Sequence, residues 1–411
     1  MAAAELGQWD PQRPEALSRA GPGERAGPVE RAWALIPLLD AAGPAIEAGR
    51  QLTPEVLDAL RANDFFRLLT PPGIGGQALP LPVFAEICEA LAIGDPSTAW
   101  CVNQGNVSSL SSSIYLAPEV GRSLFGARTS ALAWGAQHSR AAAVVVPGGF
   151  RVTGSWDFAS GSRHATSLGA HVPVVLPDGT PRCGPDGRQD IVTVLFPRDQ
   201  ARIAEDWASL GLRGTGSDTY EVTDLFVPDS HACFRDRLEL RQEHGTLSLF
   251  TSHLCYATGF AATALGTARG MLDRFVALAR GKTARAGAQA MAENHAIQSQ
   301  VAQLESRLRS ARMYLLGTVR DAWAEAEATG SLRMDTRMAM RLATTSVMGE
   351  ATEVSIACYR GAGTTAVLEA QPFERRFRDA LCISQHLQAT PGHLEMVGRH
   401  ILGVPQPVQF L

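Results

Sequence analysis

The sequence predicts a mainly α-helical fold with a central β domain: an N-terminal helical domain, a middle β-barrel and a C-terminal four-helix bundle. Three observations predict it. From Val29 to about Ser130 apolar residues recur at helical spacing; from Ala131 to about Asp229 the chain is rich in Val, Gly, Thr and Pro; beyond Leu247 long helical stripes return. The units implied are 1–28, a flexible leader; 29–130, helical; 131–232, β; and 233–411, the helical bundle.

The leader is rich in Pro, Gly, Glu and Arg, a composition that favours no packed core. Ala32, Leu35, Ile36 and Leu39 then mark a helix, with Pro37 as an irregularity. Thr53-Pro54 opens a second helix, and Val83, Ile87 and Leu91 stripe a third. In the middle, Ala142–Val146, Phe150–Phe158, Ala170–Leu176, Ile191–Phe196 and Tyr220–Val227 read as strands. Pro147-Gly148-Gly149 and Pro177-Asp178-Gly179 separate some of them, as in a small barrel or sandwich. Leu247 to Arg280 is apolar nearly all round, as in a helix buried on most faces. A stripe through Ile297, Leu304, Leu308, Leu315 and Val319 predicts a helix over about 292–327, roughly 50 Å long. Met334 to Tyr359 predicts another, ending at Gly361, and Phe373 to Gly403 a last one broken at Pro391. Four such helices in succession point to a bundle.

The 411 residues carry a net charge of −4 with no long run of either sign, which argues against nucleic acid or anionic membrane as partners. Seven cysteines, none in a C-x-x-C pair, read as reduced thiols of a cytoplasmic protein. The N-terminus has no signal-peptide pattern, and no apolar run is long enough for a bilayer. There is no G-x-G-x-x-G after a strand, no Walker motif and no G-x-S-x-G elbow. The ten histidines form no H-x-x-x-H pair, so no metal site is expected.

Four motifs stand in order along the chain. They are Pro72-Gly73-Ile74-Gly75-Gly76 with Gly94-Asp95-Pro96-Ser97-Thr98-Ala99-Trp100; Gly149-Phe150-Arg151-Val152-Thr153-Gly154-Ser155-Trp156-Asp157-Phe158-Ala159-Ser160-Gly161; Leu210-Gly211-Leu212-Arg213-Gly214-Thr215-Gly216-Ser217; and Arg360-Gly361-Ala362-Gly363 with Phe373-Glu374-Arg375-Arg376-Phe377-Arg378-Asp379. Together with the helix–β–helix order, they resemble the acyl-CoA dehydrogenase superfamily from about residue 30 to the C-terminus. The resemblance implies an acyl-CoA dehydrogenase-like fold, a flavin and, by family habit, a homotetramer. Within a strand Trp156, Phe158 and Ser160 would share one side and, with Gly161, line the flavin; two aromatics on a strand serve equally as plain core. By position, Arg285 would meet the cofactor phosphate of a neighbouring subunit, although a solvated surface arginine reads the same way.

A dehydrogenase of this family needs a carboxylate base. After Arg378-Asp379 the chain reads Ala380-Leu381-Cys382-Ile383-Ser384-Gln385-His386, with no Glu, and Leu247 to Gly270 contains no Asp or Glu. The sequence therefore looks like the oxygenase branch, the two-component flavin-dependent monooxygenases. That resemblance implies reduced FMN or FAD from a separate NAD(P)H flavin reductase, dioxygen as co-substrate, a C4a-hydroperoxyflavin, and hydroxylation of a small organic substrate. Ser160 would bond near flavin N5. His386 would act as base or hold the peroxide, although it also reads as a helix histidine bonded to a backbone carbonyl. Trp134 would flank the cofactor or belong to the core. Trp100, Asn103, Ser108, His253 and Tyr256 would line the substrate pocket. The stretch Asn103 to Ser108 lacks the histidine that some phenol-type hydroxylases carry there, which argues against a phenol. N-oxygenation of an amine or amino sugar, a dehydrogenase using His386 or Tyr256 as base, and a non-catalytic flavin-binding protein stay open as alternatives.

Overall fold

Pro37 divides the first helical stretch. A computed structural model describes residues 26–137, 141–184, 187–235, 237–282 and 290–405. In it α1 (Pro28–Ala34) ends at Leu35, and α2 (Ile36–Gly49) restarts with Pro37 in its first turn, where a missing N–H goes unnoticed. The leader lies outside the described residues up to position 25. Thr53 caps α3 (Pro54–Ala62) by accepting the Val56 N–H at 3.4 Å. Asp95 links α4 (Leu81–Gly94) to α5 (Pro96–Ser113) and caps the latter by accepting the Thr98 N–H at 2.7 Å. α5 is buried along almost its whole length, and α6 (Pro118–Phe125) follows it.

The middle of the chain forms β1 (Leu132–Trp134), β2 (Ala136–Gln137), β3 (Ala142–Val146), β4 (Gly149–Ala159), β5 (Ser167–Val175), β6 (Ile191–Pro197), β7 (Arg202–Ile203), β8 (Asp218–Pro228) and β9 (Ala232–Cys233). The five strands expected from sequence are β3, β4, β5, β6 and β8. The hydrogen-bonded path runs β7-β8-β4-β3-β5-β6-β9, with β1 paired to β5 and β2 to β4. β3 pairs antiparallel to β4 but parallel to β5. The strands enclose Val152, Trp156, Leu168, Val172, Val194 and Tyr220.

The chain then forms α7 (Ser252–Gly281), α8 (His295–Thr329), α9 (Met334–Ala362), α10 (Phe373–Ser384) and α11 (Gly392–Ile401). α7 is buried from Leu254 to Leu272 except at Tyr256, and packs on α4, α5, α8 and α9. Glycines permit this closeness: a Cβ on Gly266 would stand 2.1 Å from the Glu89 carbonyl oxygen. The last helical segment is interrupted at Gln385, six residues before Pro391, which instead precedes α11. That early break places His386 in a connector. Ion pairs bind the units together. Arg312 of α8 meets Glu89 of α4 at 2.8 Å, and Arg376 of α10 meets Asp40 of α2 at 2.7 Å. Among the described residues no helix is long and apolar enough to cross a membrane.

Candidate active site

The end of β4 turns a corner that the sequence does not announce. Its register against β8 shifts between Trp156 and Ala159, and Phe158 takes a positive φ of 59°. Simple alternation therefore fails, and the three side chains expected on one side are separated. Trp156 points into the β core, wholly buried, stacked on Tyr220 at 5.3 Å and donating its ring N–H to the His171 carbonyl at 3.1 Å. It belongs to the core and is removed from the cofactor set. Phe158 turns outward, 62% exposed, edge-on to Trp207 at 5.8 Å. Ser160 is buried beyond the corner, and Gly161 (φ 83°) continues the turn by donating its N–H to the Thr215 carbonyl at 2.8 Å.

Ser160 lies in a row of hydroxyls. Its Oγ accepts the Trp100 Nε1–H at 3.0 Å and lies 2.7 Å from Ser217 Oγ. Ser217 Oγ is 2.6 Å from Thr215 Oγ1, and Thr215 donates to the Leu212 carbonyl at 2.8 Å. Asp379 of α10 holds this loop by accepting the Leu212 N–H at 2.6 Å. Ser217, Thr215 and Asp379 all stand in the quoted motifs, but only folding brings them to Ser160.

His386 faces Trp100 edge-on at 5.1 Å and Phe260 of α7 at 4.2 Å. Its Nδ1 accepts the Gln388 N–H at 3.2 Å, and Gln388 is held in turn by the buried Arg341. With Nδ1 engaged as acceptor, the neutral ring carries its proton on Nε2. Burial lowers the His386 pKa to about 4, so the ring is neutral at physiological pH. Of the two roles expected for His386, this geometry suits the donor rather than the base. The bond expected to a carbonyl is instead a bond from a backbone N–H.

Tyr256 also stacks on Phe260, at 5.8 Å. Ser108 and Tyr256 hydroxyls meet at 2.8 Å, and burial pushes the phenol pKa well up. Trp134, expected beside the cofactor, packs instead edge-on to His171 at 4.6 Å under the Arg235 guanidinium, on the Tyr256 side. Asn103 is wholly buried against α7, donates to the Tyr256 carbonyl at 3.4 Å, and sits where a Cβ on Gly259 would be 2.1 Å from its Oδ1. It therefore joins α5 to α7 rather than facing a pocket. His253, one turn before Tyr256, has its pKa lowered to about 4 by burial and by Arg235 and Arg341. Arg285 lies outside the described residues. Phe260 escaped sequence reading because it stands in an unbroken apolar helix.

A flavin ring needs apolar flanks with polar atoms at one edge. The exposed Phe158 beside Trp207, the Ser160 hydroxyl, and the imidazole near Trp100 match that requirement, and the residues present fit the group.

The profile described as "Acyl-CoA dehydrogenase, C-terminal domain" matches residues 258–391. Indole-3-acetate monooxygenase of Pseudomonas putida is 30% identical, covering 84% of this chain and 90% of its own length. The flavin-dependent monooxygenase, oxygenase subunit HsaA, of Rhodococcus jostii (strain RHA1) is 28% identical, covering 92% and 98%. The crystal structure of the HsaA monooxygenase from M. tuberculosis superposes with a TM-score of 0.83 at 25% identity, over 93% of this chain and 99% of that one.

Proposed function

This chain belongs to the flavin-dependent monooxygenases that carry the acyl-CoA dehydrogenase fold, and from that premise we propose that it is an oxygenase component that hydroxylates a small aromatic compound. Reduced FMN or FAD, delivered by a separate NAD(P)H reductase, supplies when bound the electrons that activate dioxygen. The observation that carries this reading is His386, its Nδ1 engaged by Gln388 and its ring packed beside Trp100 and Phe260.

In this proposal Ser160 bonds the ring at N5, with Phe158 and Gly161 along its flank. Nε2 of His386 holds a proton toward the oxygen being transferred, and Trp100, Phe260 and Tyr256 keep water from the reaction. Ser108 fixes the Tyr256 hydroxyl, and Trp134 and His253 stand at the far end of the substrate space. Arg285 is retained as the contact to cofactor phosphate. The name of the Pseudomonas putida relative supports an aromatic substrate, and the words "oxygenase subunit" in that of HsaA support a reductase made elsewhere. A cytoplasmic homotetramer completes the proposal. Met313 and Tyr314, 65% and 40% exposed on α8, offer apolar surface to a partner, and light scattering tests the assembly.

The experiment is a stopped-flow mixing of protein and photoreduced flavin with ¹⁸O-labelled dioxygen and indole-3-acetate, other aromatic acids, phenols or amines. Absorbance near ~380 nm reports the flavin, and mass spectrometry reports label in the product. One labelled oxygen on carbon supports the proposal. Label on nitrogen moves it to N-oxygenation. Tight binding of oxidised FAD with no oxygen uptake overturns it.

A further inference from the structure

The hydroxyl row behind Ser160 has a direction. It contains three oxygen–oxygen contacts: Ser160 to Ser217 at 2.7 Å, Ser217 to Thr215 at 2.6 Å, and Thr215 to the Leu212 carbonyl at 2.8 Å. Each hydroxyl has one proton, and a carbonyl has none to give. Three contacts and three protons admit one assignment in which every contact is a hydrogen bond. Thr215 donates to Leu212, Ser217 to Thr215, and Ser160 to Ser217. Any reversal leaves two lone pairs face to face inside a buried site, where an unmade hydrogen bond is costly. The terminus is well fixed. Leu212 holds a left-handed backbone (φ 50°), and its N–H is bound by the buried Asp379 carboxylate at 2.6 Å.

Ser160 therefore has no proton to offer a ligand. Its Oγ already accepts the Trp100 Nε1–H at 3.0 Å and has one lone pair left. Whatever lies against it must be a donor. We propose that this one-way chain makes Ser160 an acceptor only, so that the site takes reduced flavin, which carries a hydrogen at N5, in preference to oxidised flavin, which presents a bare nitrogen there. The inference rests on the placement of Ser160 at N5 proposed above. It assigns Ser217 and Thr215 as positioning residues that set the redox state of the cofactor bound, without touching it.

The test is anaerobic titration of the full-length protein with FMN and with photoreduced FMN, giving the ratio of the two dissociation constants. Ser217→Ala and Thr215→Val each release a proton that Ser160 can turn toward the ligand. Each should lower the preference for the reduced form about tenfold, which is a two-electron midpoint potential about 30 mV lower. Thr215→Ser, which keeps the hydroxyl, should restore both, and circular dichroism checks folding. If Ser160→Ala weakens reduced-flavin binding while Ser217→Ala and Thr215→Val leave the ratio unchanged, the polarity is wrong and the site stands. If Ser160→Ala alters neither constant, the flavin does not lie at Ser160, and the placement falls together with this inference.

Discussion

The imidazole of His386 shows how burial and one backbone bond settle a side chain's chemistry. Burial holds its pKa at about 4, and Gln388 fixes the proton on Nε2. Replacing it with alanine should cut product formation about 10²-fold while the reduced-flavin dissociation constant changes less than twofold, measured by product analysis and anaerobic titration. The pH dependence has a definite sign. His164, His253 and His386 all have folded pKa values lowered to about 4 from the ordinary 6.5. The unfolded chain thus binds more protons between those values, and stability falls as pH drops from 6.5 toward 4. Urea midpoints at pH 7 and pH 5 should show that fall, and His386→Gln should reduce it. Ser160 and His386 could be singled out in the sequence because their chain neighbours carry the motif, but that both meet Trp100 could not be read there. Phe260 was not, because a helix buried on every side marks no residue as special, and Trp156 was misplaced because the bulge at Phe158 breaks the strand period.

Between elements, contact is set by what cannot move. A Cβ on Gly266 of α7 would strike the backbone carbonyl of Glu89, so Gly266→Ala should force α4 away and cost about 1–3 kcal/mol, seen in chemical unfolding. The link from α10 to the loop after β7 behaves differently with pH. Burial, aided by Asp95 and opposed by Arg375 and by the Leu212 N–H, raises the Asp379 carboxyl to about 7. Its folded pKa lies above the unfolded 3.8, so its ionisation removes stability as pH rises through about 7. Asp379→Asn lacks that loss and should gain stability relative to the parent between pH 5 and pH 8. Unfolding curves at the two pH values check this. Strands were readable at this scale because Val-rich runs end in Gly and Pro. α5 was submerged in a general helical reading: with its serines and asparagines buried all round, it shows no apolar stripe.

For the molecule as a whole, three segments separated in sequence share one interior. Glu89 of α4 is 3% exposed and bonds Arg312 of α8 through both carboxylate oxygens, at 2.8 and 2.9 Å. Glu89→Gln leaves the guanidinium without its counter-charge, and should cost about 3 kcal/mol as expected for a broken buried pair, measured by calorimetry. The order of helical, β and helical parts was legible because composition changes sharply at each junction. The seam between the first and last parts was not, because it depends on pairings far apart in the chain.

That seam has a consequence for biosynthesis. Glu89 and Arg312 are 223 residues apart, so at about 5–20 residues per second the ribosome makes the first some 10–45 seconds before the second. For most of that interval the apolar faces of α4 and α5 exist without α7, the helix that covers both. Nascent chains stalled before residue 252 should recruit chaperones and be cut readily by protease, whereas chains released after α9 has emerged should be protected. For this enzyme the growing polypeptide becomes safe from aggregation only after α7, α8 and α9 have been made.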